Sequence, residues 1–338
     1  MLPELFKIPY FNISVHSFGL MLGLALLSTL QLARFLARRS GLNPDHFSMA
    51  TFLAIVVGLI GARITYVIQF NDEPDFQTDS LVTNLWNMIN FASGGLVYYG
   101  GFLLAFVALV LWALWKKIPL LRGMDIVAPC LMIGLALGRV GCFLNGCCWG
   151  EHCPADSAVA VSFPYYSPAY LDDYFQGRIQ PDPRLLVRDP LQQNRRLIRP
   201  EELKKHPDLA EIASRERSLP VVNTQLISTI TAGWIALICY FVFTLYIAPG
   251  RGFAVMMICE GITRTLIEGL RVEPIEWTVG RFGLTLSQII GIGVSLGGIV
   301  LWFLAGRLKD VPRIGDRPGY PDHSHPASLP IGSLADAK

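Results

Sequence analysis

Between Gly138 and Gly150 the chain reads GRVGCFLNGCCWG, which sets an arginine, an asparagine and three cysteines among glycines at the end of an apolar stretch. An arginine at mid-bilayer depth costs roughly 2.5–3.5 kcal/mol on insertion scales, so it marks a ligand, a counter-ion or a substrate path. The alternative is an arginine that snorkels from a helix end. A second group lies further on. Glu260, Arg264 and Glu268 are spaced i, i+4, i+8, which places an arginine between two carboxylates on one helix face. That face must point into a bundle, either as an ion-pair ladder between helices or as the wall of an anion site. Where arginines outnumber carboxylates an anion must join them, and a phosphate matches the guanidinium fork bidentately.

The elements that position these groups follow from composition. Of 338 residues, 52% are hydrophobic and 16% charged, with a mean hydropathy of +0.43. The apolar residues fall in long runs, which predicts an all-α membrane protein rather than a soluble domain. About seven transmembrane helices are expected: Val15 to Ala37, Phe47 to Phe70, Leu96 to Trp115, Met124 to Leu144, Val221 to Ile247, Phe253 to Leu270 and Leu284 to Phe303. The first run has no small-residue cleavage site, and Arg34, Arg38 and Arg39 follow it, so it reads as a retained anchor with the N-terminus outside. Lys116, Lys117, Arg122, Arg251, Arg307, Lys309 and Arg313 then fall inside, and the acidic loop with Asp72, Glu73, Asp75 and Asp79 falls outside.

Four segments result: residues 1–150 with the first four helices, an extracytoplasmic insertion at 151–220, three more helices at 221–305, and a flexible cytoplasmic tail at 306–338. The arginines of the insertion do not contradict its placement, because loops of that length translocate regardless of charge. A formal net charge of +2 says nothing about nucleic acid, because the basic residues are spread over membrane-flanking loops, and the sequence shows no nucleic-acid patch. His323 and His325, in a tail rich in Pro, Gly and Ser, read as solvated polar residues rather than a metal site.

Depth then separates function from snorkelling. Running each span in its inferred direction places Arg63, Arg139, Arg264 and Glu268 in the outer half of the membrane, with His16 opening the first helix and Tyr99 starting the third at the same level. Scattered snorkelling residues would not agree in this way. Gly94, Gly95, Gly100 and Gly101 flank two tyrosines in SGGLVYYGG, and Gly138, Gly141 and Gly146 flank Arg139. Such glycines permit either close helix packing or backbone approach to a ligand.

Cys142, Cys147, Cys148 and Cys153 lie in one short segment beside His152, on the outer side where disulfides form. Adjacent cysteines rarely ligate one ion comfortably, so a disulfide from this cluster is expected, with unpaired apolar filling and a metal site as alternatives. Cys130, Cys239 and Cys259 read as buried membrane residues.

Together these segments resemble the bacterial prolipoprotein diacylglyceryl transferases. GRVGCFLNGCCWG is similar to the family pattern GR-x-GNF-x-N-x-E-x-x-G, and HSFGLMLG from His16 to its first-helix HxxGL element. GARITYVI at Gly61 resembles the GGR element, SGGLVYYGG the GG-x-x-x-HGG element, TRTLIEGLRVEP at Thr263 the RF-x-x-E-x-x-RxP element, and SQII at Ser287 the GQ-x-x-S element. The chain departs from these patterns at Tyr99 for histidine, Cys142 for asparagine, Cys147 for glutamate and Glu260 for a frequent tyrosine. VVNTQLIS at Val221 keeps only Thr224, Gln225 and Leu226 of HP-[ST]-QLYE.

The resemblance implies transfer of the diacylglyceryl group of phosphatidylglycerol to the lipobox cysteine thiol of a prolipoprotein, with release of glycerol 1-phosphate. It implies a bacterial inner-membrane, multi-pass enzyme whose site faces the outer leaflet and which needs no cofactor and no metal. Its partners would be phosphatidylglycerol, prolipoprotein signal peptides and the membrane, with no nucleic acid. Arg139 and Arg264 would grip phosphate, Tyr99 would donate a hydrogen bond to the phosphate or leaving oxygen, and Arg63 and Glu268 would support them. His16, Gly100, Gly101, Gly141, Asn145, Gln225 and Gln288 complete the expected substrate site. Two rival functions stay open: a metal-binding or thiol-redox membrane protein, and a non-catalytic relative that binds anionic lipid.

Overall fold

The computed structural model describes residues 4–8, 13–70, 84, 86, 88, 97–188, 195–245, 248–271, 278–279 and 284–307, with 4–8, 13–16, 98–99, 188, 195 and 278–279 in backbone only. The expected tail lies outside the described residues beyond 307, as do Gly94, Gly95 and the acidic loop.

An antiparallel hairpin of β1 (Glu4–Ile8) and β2 (Ile13–His16) leads into α1 (Ser17–Arg39). His16 therefore ends a strand rather than opening the first helix. Next come α2 (Pro44–Gln69), α3 (Tyr98–Trp115) and α4 (Leu120–Asn145). Asn43 accepts a hydrogen bond from the Asp45 amide at 2.9 Å, with Pro44 in the first turn, so α2 starts where its local chemistry dictates. Gly146 closes α4 in the left-handed conformation (φ +72°) that favours glycine at a helix end.

The following segment is folded, with β3 (Ala160–Val161), α5 (Pro168–Phe175), β4 (Leu186–Arg188), β5 (Arg195–Leu197), α6 (Pro200–Leu203), α7 (Pro207–Arg215) and β6 (Val221–Val222). β3 pairs with β6 and β4 with β5, both antiparallel. The chain ends its described part with α8 (Thr224–Thr244), α9 (Arg251–Glu268), β7 (Thr278–Val279), β8 (Leu284–Thr285) and α10 (Leu286–Arg307). Val221 and Leu284 were expected in helices and lie in strands. The reason is local: Asn223 accepts from the Leu226 amide at 3.0 Å and Thr285 from the Gln288 amide at 3.2 Å, so the helices begin only after these caps.

Five helices, α1, α2, α4, α8 and α10, are long and apolar enough to cross a membrane. α3 is a shorter apolar helix, and α9 carries Arg251, Glu260, Arg264 and Glu268 within 18 residues. Ile68, Trp115, Leu266 and Phe303 expose 74, 73, 68 and 67% of their surface. Side chains so bare oppose a water-facing helix and suit contact with lipid tails.

The chain divides into two compact units, Met1–Ala33 with Pro119–Ala305, and Arg34–Ile118 with Gly306–Lys338. In the second, α2 packs on α3 through glycines: a Cβ on Gly61 would lie 2.7 Å from the Gly100 carbonyl, and one on Gly101 would lie 2.7 Å from that of Gly58. A side chain at either place would force the backbones apart.

In the first unit α4, α8 and α9 enclose a core of Ala128, Met132, Ile235, Ala236, Cys239 and Met256. Asp125 of α4 ties down the start of α9, accepting from the Gly250 amide at 2.7 Å and the Phe253 amide at 2.9 Å. Asp125→Ala would orphan amides at a helix N-terminus. We expect it to cost about 1–2 kcal/mol, the usual worth of such a cap, with Asp125→Asn retaining more. Thermal unfolding in detergent checks this, and equal melting of the alanine variant and the wild type would show the cap to be dispensable.

The segment from Glu151 to Pro220 belongs to the same unit. Its ends are stitched by Val222 N to Glu151 O (2.8 Å), Gly150 N to Val222 O (2.9 Å), Cys153 N to Pro220 O (3.0 Å) and Glu151 N to Leu270 O (2.9 Å). Phe163, Ala169 and Val221 form one small core, and Leu185, Ile198, Leu203 and Ala213 another. Asp173, 1% exposed, accepts from the Leu219 amide at 2.9 Å, pairs with His152 Nε2 at 2.8 Å and with Arg178 at 3.2 Å.

Candidate functional site

A cleft opens between α4, α8 and α9, holding about 340 Å³ of space that is partly open to the surroundings. α4 contributes Leu135 and Arg139, one turn apart; α8 contributes Ser228 and Thr231; α9 contributes Glu260, Thr263, Arg264, Ile267 and Glu268; and Arg271 follows it. The steps from Glu260 to Arg264, Ile267, Glu268 and Arg271 keep one helical face, as the 3.6-residue repeat requires.

Three guanidinium groups here meet two carboxylates, so the cleft carries one formal positive charge in excess. Arg264 Nη2 donates to Ser287 Oγ at 3.0 Å, which holds the side chain against α10. Glu268 is 4% exposed, and its Oε2 lies 3.7 Å from Arg271 Nη1. Among the described residues, Glu268 Oε1 and Arg271 Nε and Nη2 are buried without a hydrogen-bond partner. Buried polar atoms are normally satisfied, so unpaired donors on an arginine in a cleft mark a place for an acceptor-rich ligand. The Thr231 and Thr263 hydroxyls are already spent on their own helices.

Of the expected site residues, Arg139, Arg264 and Glu268 meet in this cleft. Arg63 lies in the other unit, 4% exposed, where its Nε donates to the Met88 carbonyl at 3.0 Å and its guanidinium sits 5.3 Å from the Tyr66 ring centre. Gly100 and Gly101 serve the α2–α3 contact. The side chains of His16 and Tyr99 lie outside the described residues. Gly141 packs on α1, where an added Cβ would lie 3.1 Å from Phe18 Cδ2 and 3.2 Å from Met21 Cβ. Gln288 accepts from the Thr285 amide at 3.1 Å and so caps α10.

Gln225, fully buried, donates from Nε2 to the Cys147 carbonyl at 2.8 Å, and Thr224 Oγ1 donates to the Cys148 carbonyl at 2.8 Å. Two side chains at the head of α8 thus hold the loop after α4, with Asn145 beside the Cys147 thiol. All seven cysteines carry free thiols. The Sγ atoms of Cys142, Cys147 and Cys148 lie within 4.8 Å of one another, and Cys153 is not in the group. The Cys148 thiol is held well below its usual range, first by hydrogen bonds with the Cys142 and Cys147 thiols and then by the positive charge of Arg139 and Arg271.

Sequence reasoning did not select Glu260 and Arg271 for the site. Arg271 stands seven residues, two helical turns, after Arg264 inside the quoted TRTLIEGLRVEP segment, so periodicity could have found it. Glu260 was set aside between an ion-pair ladder and a site residue, and the cleft places it with Arg139 and Arg264.

Residues 3–304 match the family model described as prolipoprotein diacylglyceryl transferase. The chain is similar to the phosphatidylglycerol–prolipoprotein diacylglyceryl transferase of Rhodopirellula baltica, 34% identical over 168 residues that make up 50% of this chain and 34% of that protein. It is also similar to transferase 2 of Clostridium perfringens, 25% identical over 91% of this chain and 97% of the relative. The enzyme of that name in Paraburkholderia phymatum is 26% identical over 87% and 90%. The chain thus spans about a third of the first relative's length and nearly all of the other two.

Proposed function

The chain belongs to the prolipoprotein diacylglyceryl transferase family, and we propose that it transfers the diacylglyceryl group of phosphatidylglycerol to the lipobox cysteine thiol of prolipoproteins. The sulfur attacks the glyceryl carbon that bears the phosphate ester. A C–S bond forms, the C–O bond breaks, and glycerol 1-phosphate leaves with the oxygen. A phosphodiester carries one negative charge, whereas the departing monoester carries up to two, since its second pKa is near 6. Charge therefore grows on the phosphate as the bond breaks, and fixed cations in a water-poor cleft favour that transition state over the ground state.

The observation that carries this reading is the excess of guanidinium groups in a cleft between apolar helices, with Arg139, Arg264 and Arg271 on its wall. Arg139 and Arg264 grip the phosphate in our scheme, and Arg271 joins them through its Nε and Nη2, which have no hydrogen-bond partner among the described residues. Glu268 orients Arg271. The attacking thiol, with an ordinary pKa of about 8.5, loses its proton more readily beside this cationic wall.

We place the protein in the bacterial inner membrane with seven spans, the N-terminus and residues 151–220 outside, and the cleft facing the outer leaflet. The cytoplasmic loops then collect Lys116, Lys117, Arg122, Arg251 and Arg307. Purified protein in phosphatidylglycerol nanodiscs with a lipobox peptide should yield the peptide carrying a diacylglyceryl thioether, seen by mass spectrometry. Unmodified peptide with several phospholipids, alongside folded protein, would sink the transferase reading. Stoichiometric binding of phosphatidylglycerol without turnover would favour the lipid-binding relative.

A further inference from the structure

The three thiols at the end of α4 have no part in the scheme above, yet they converge. We propose that Cys142, Cys147 and Cys148 form a binding site for a thiophilic cation of the zinc type, held by three sulfurs with one coordination position open. Their Sγ atoms all lie within 4.8 Å of one another. A tetrahedral centre with zinc–sulfur bonds of about 2.3 Å separates its sulfurs by about 3.8 Å. The thiols therefore need to move by less than about an ångström each.

Adjacent cysteines on regular backbone point apart, which is why Cys147 and Cys148 looked unsuited to one ion. The backbone resolves this. Gly146 (φ +72°) and Cys148 (φ +63°) both adopt the left-handed conformation, which folds the loop back on the end of α4 and brings both thiols to Cys142. A non-glycine residue there needs an enforcing environment. Thr224 and Gln225, both fully buried, supply it by donating to the carbonyls of Cys148 and Cys147 at 2.8 Å. The site is thus built by α8 rather than by chance proximity of thiols.

Charge and access agree. Three thiolates around a divalent cation leave one negative charge, and the charges of Arg139 and Arg271 act at Cys148. Three sulfurs select zinc-like or softer ions over magnesium and calcium, which take oxygen ligands. Cys148 is exposed and gives an entry path, and the displaced thiol protons pass to solvent. His152 is occupied with Asp173 at 2.8 Å, and among the described residues no further His, Cys, Asp or Glu joins the three thiols, so the fourth position is left to water or another small donor.

The test uses the full-length chain in detergent, fully reduced, with Zn²⁺ and then Cd²⁺ as probes. We expect one Cd²⁺ per chain with a thiolate-to-metal charge-transfer band. Cys142→Ser or Cys148→Ser should weaken binding by more than the roughly 10–100-fold typical of outer-shell changes, whereas Cys153→Ser should not. Because loss of folding in a serine variant would mimic loss of binding, Zn²⁺ protection of the wild-type thiols from alkylation is the second measurement. Cys142, Cys147 and Cys148 should be protected and Cys153 should react equally with and without the ion. Absence of stoichiometric binding by reduced protein, binding that survives loss of all three thiols, or uniform alkylation would overturn the proposal. So would a native disulfide joining two of the three, found by mapping without reduction.

Discussion

Arg139→Lys is expected to leave a folded, membrane-inserted protein whose turnover falls by a factor on the order of 10 to 100, about 1.4–2.7 kcal/mol of lost transition-state stabilisation. Geometry rather than charge makes the difference. A guanidinium grips two phosphate oxygens through a planar fork, and a lysine ammonium is a point charge on a flexible stem. Arg139 lines the cleft together with Leu135, Glu260 and Arg264 and is not part of the core at Met132 and Ile235, so replacing its side chain does not open that core. Arg139→Ala removes both fork and charge and should be worse than lysine. Near-normal turnover in the lysine variant, at matched expression and melting temperature, would make Arg139 structural and move the phosphate grip to Arg264 and Arg271. A loss confined to KM would instead show that Arg139 binds ground state and transition state alike.

A single methyl group at Gly261 should cost more stability than any other change considered for this chain, about 3 kcal/mol, near the upper end of overpacking effects. A Cβ on Gly261 would strike the Gly291 carbonyl and Ser295 Oγ and lie 2.8 Å from the Ser295 amide, so α9 and α10 meet there backbone to backbone. Backbone cannot rotate away as a side-chain end can. The contact also matters for the cleft, because Arg264 is anchored on Ser287 of α10; pushing the helices apart removes that anchor and should lower turnover in the fraction that folds. Gly293→Ala is the matched control: it lies on the same helix as Gly291, and an added Cβ meets nothing within 4 Å. The expected result is a lower melting temperature for Gly261→Ala and an unchanged one for Gly293→Ala. Equal melting of the two variants would show that the α9–α10 contact yields and does not position Arg264.

Apolar runs of about twenty residues and the i, i+4, i+8 spacing of Glu260, Arg264 and Glu268 were enough to place the long helices and the charged face of α9, because both depend on local periodicity alone. The same local reasoning singled out Arg139, which lines the cleft. It did not reach Arg271, whose buried Nε and Nη2 only the fold reveals, and although Gln225 was expected in the substrate site, its hydrogen bond to the Cys147 carbonyl joins residues 78 positions apart and was not legible. Glycine was the hardest type to read, since nothing local separates a packing glycine from one that admits a ligand. The neighbours decide it: Gly100 and Gly101 face α2, Gly141 faces α1 and Gly261 faces α10.

The cysteines show the boundary most sharply. Sequence alone determined that four of them are close along the chain at a helix end, and that this chain carries thiols where its family pattern has asparagine and glutamate. Only the tertiary structure decided which three converge. That choice follows from the left-handed turns at Gly146 and Cys148 and from the Thr224 and Gln225 hydrogen bonds that hold them. Backbone conformation at two positions, enforced by a helix more than 70 residues further along, is long-range information, and a linear pattern of residue types does not contain it.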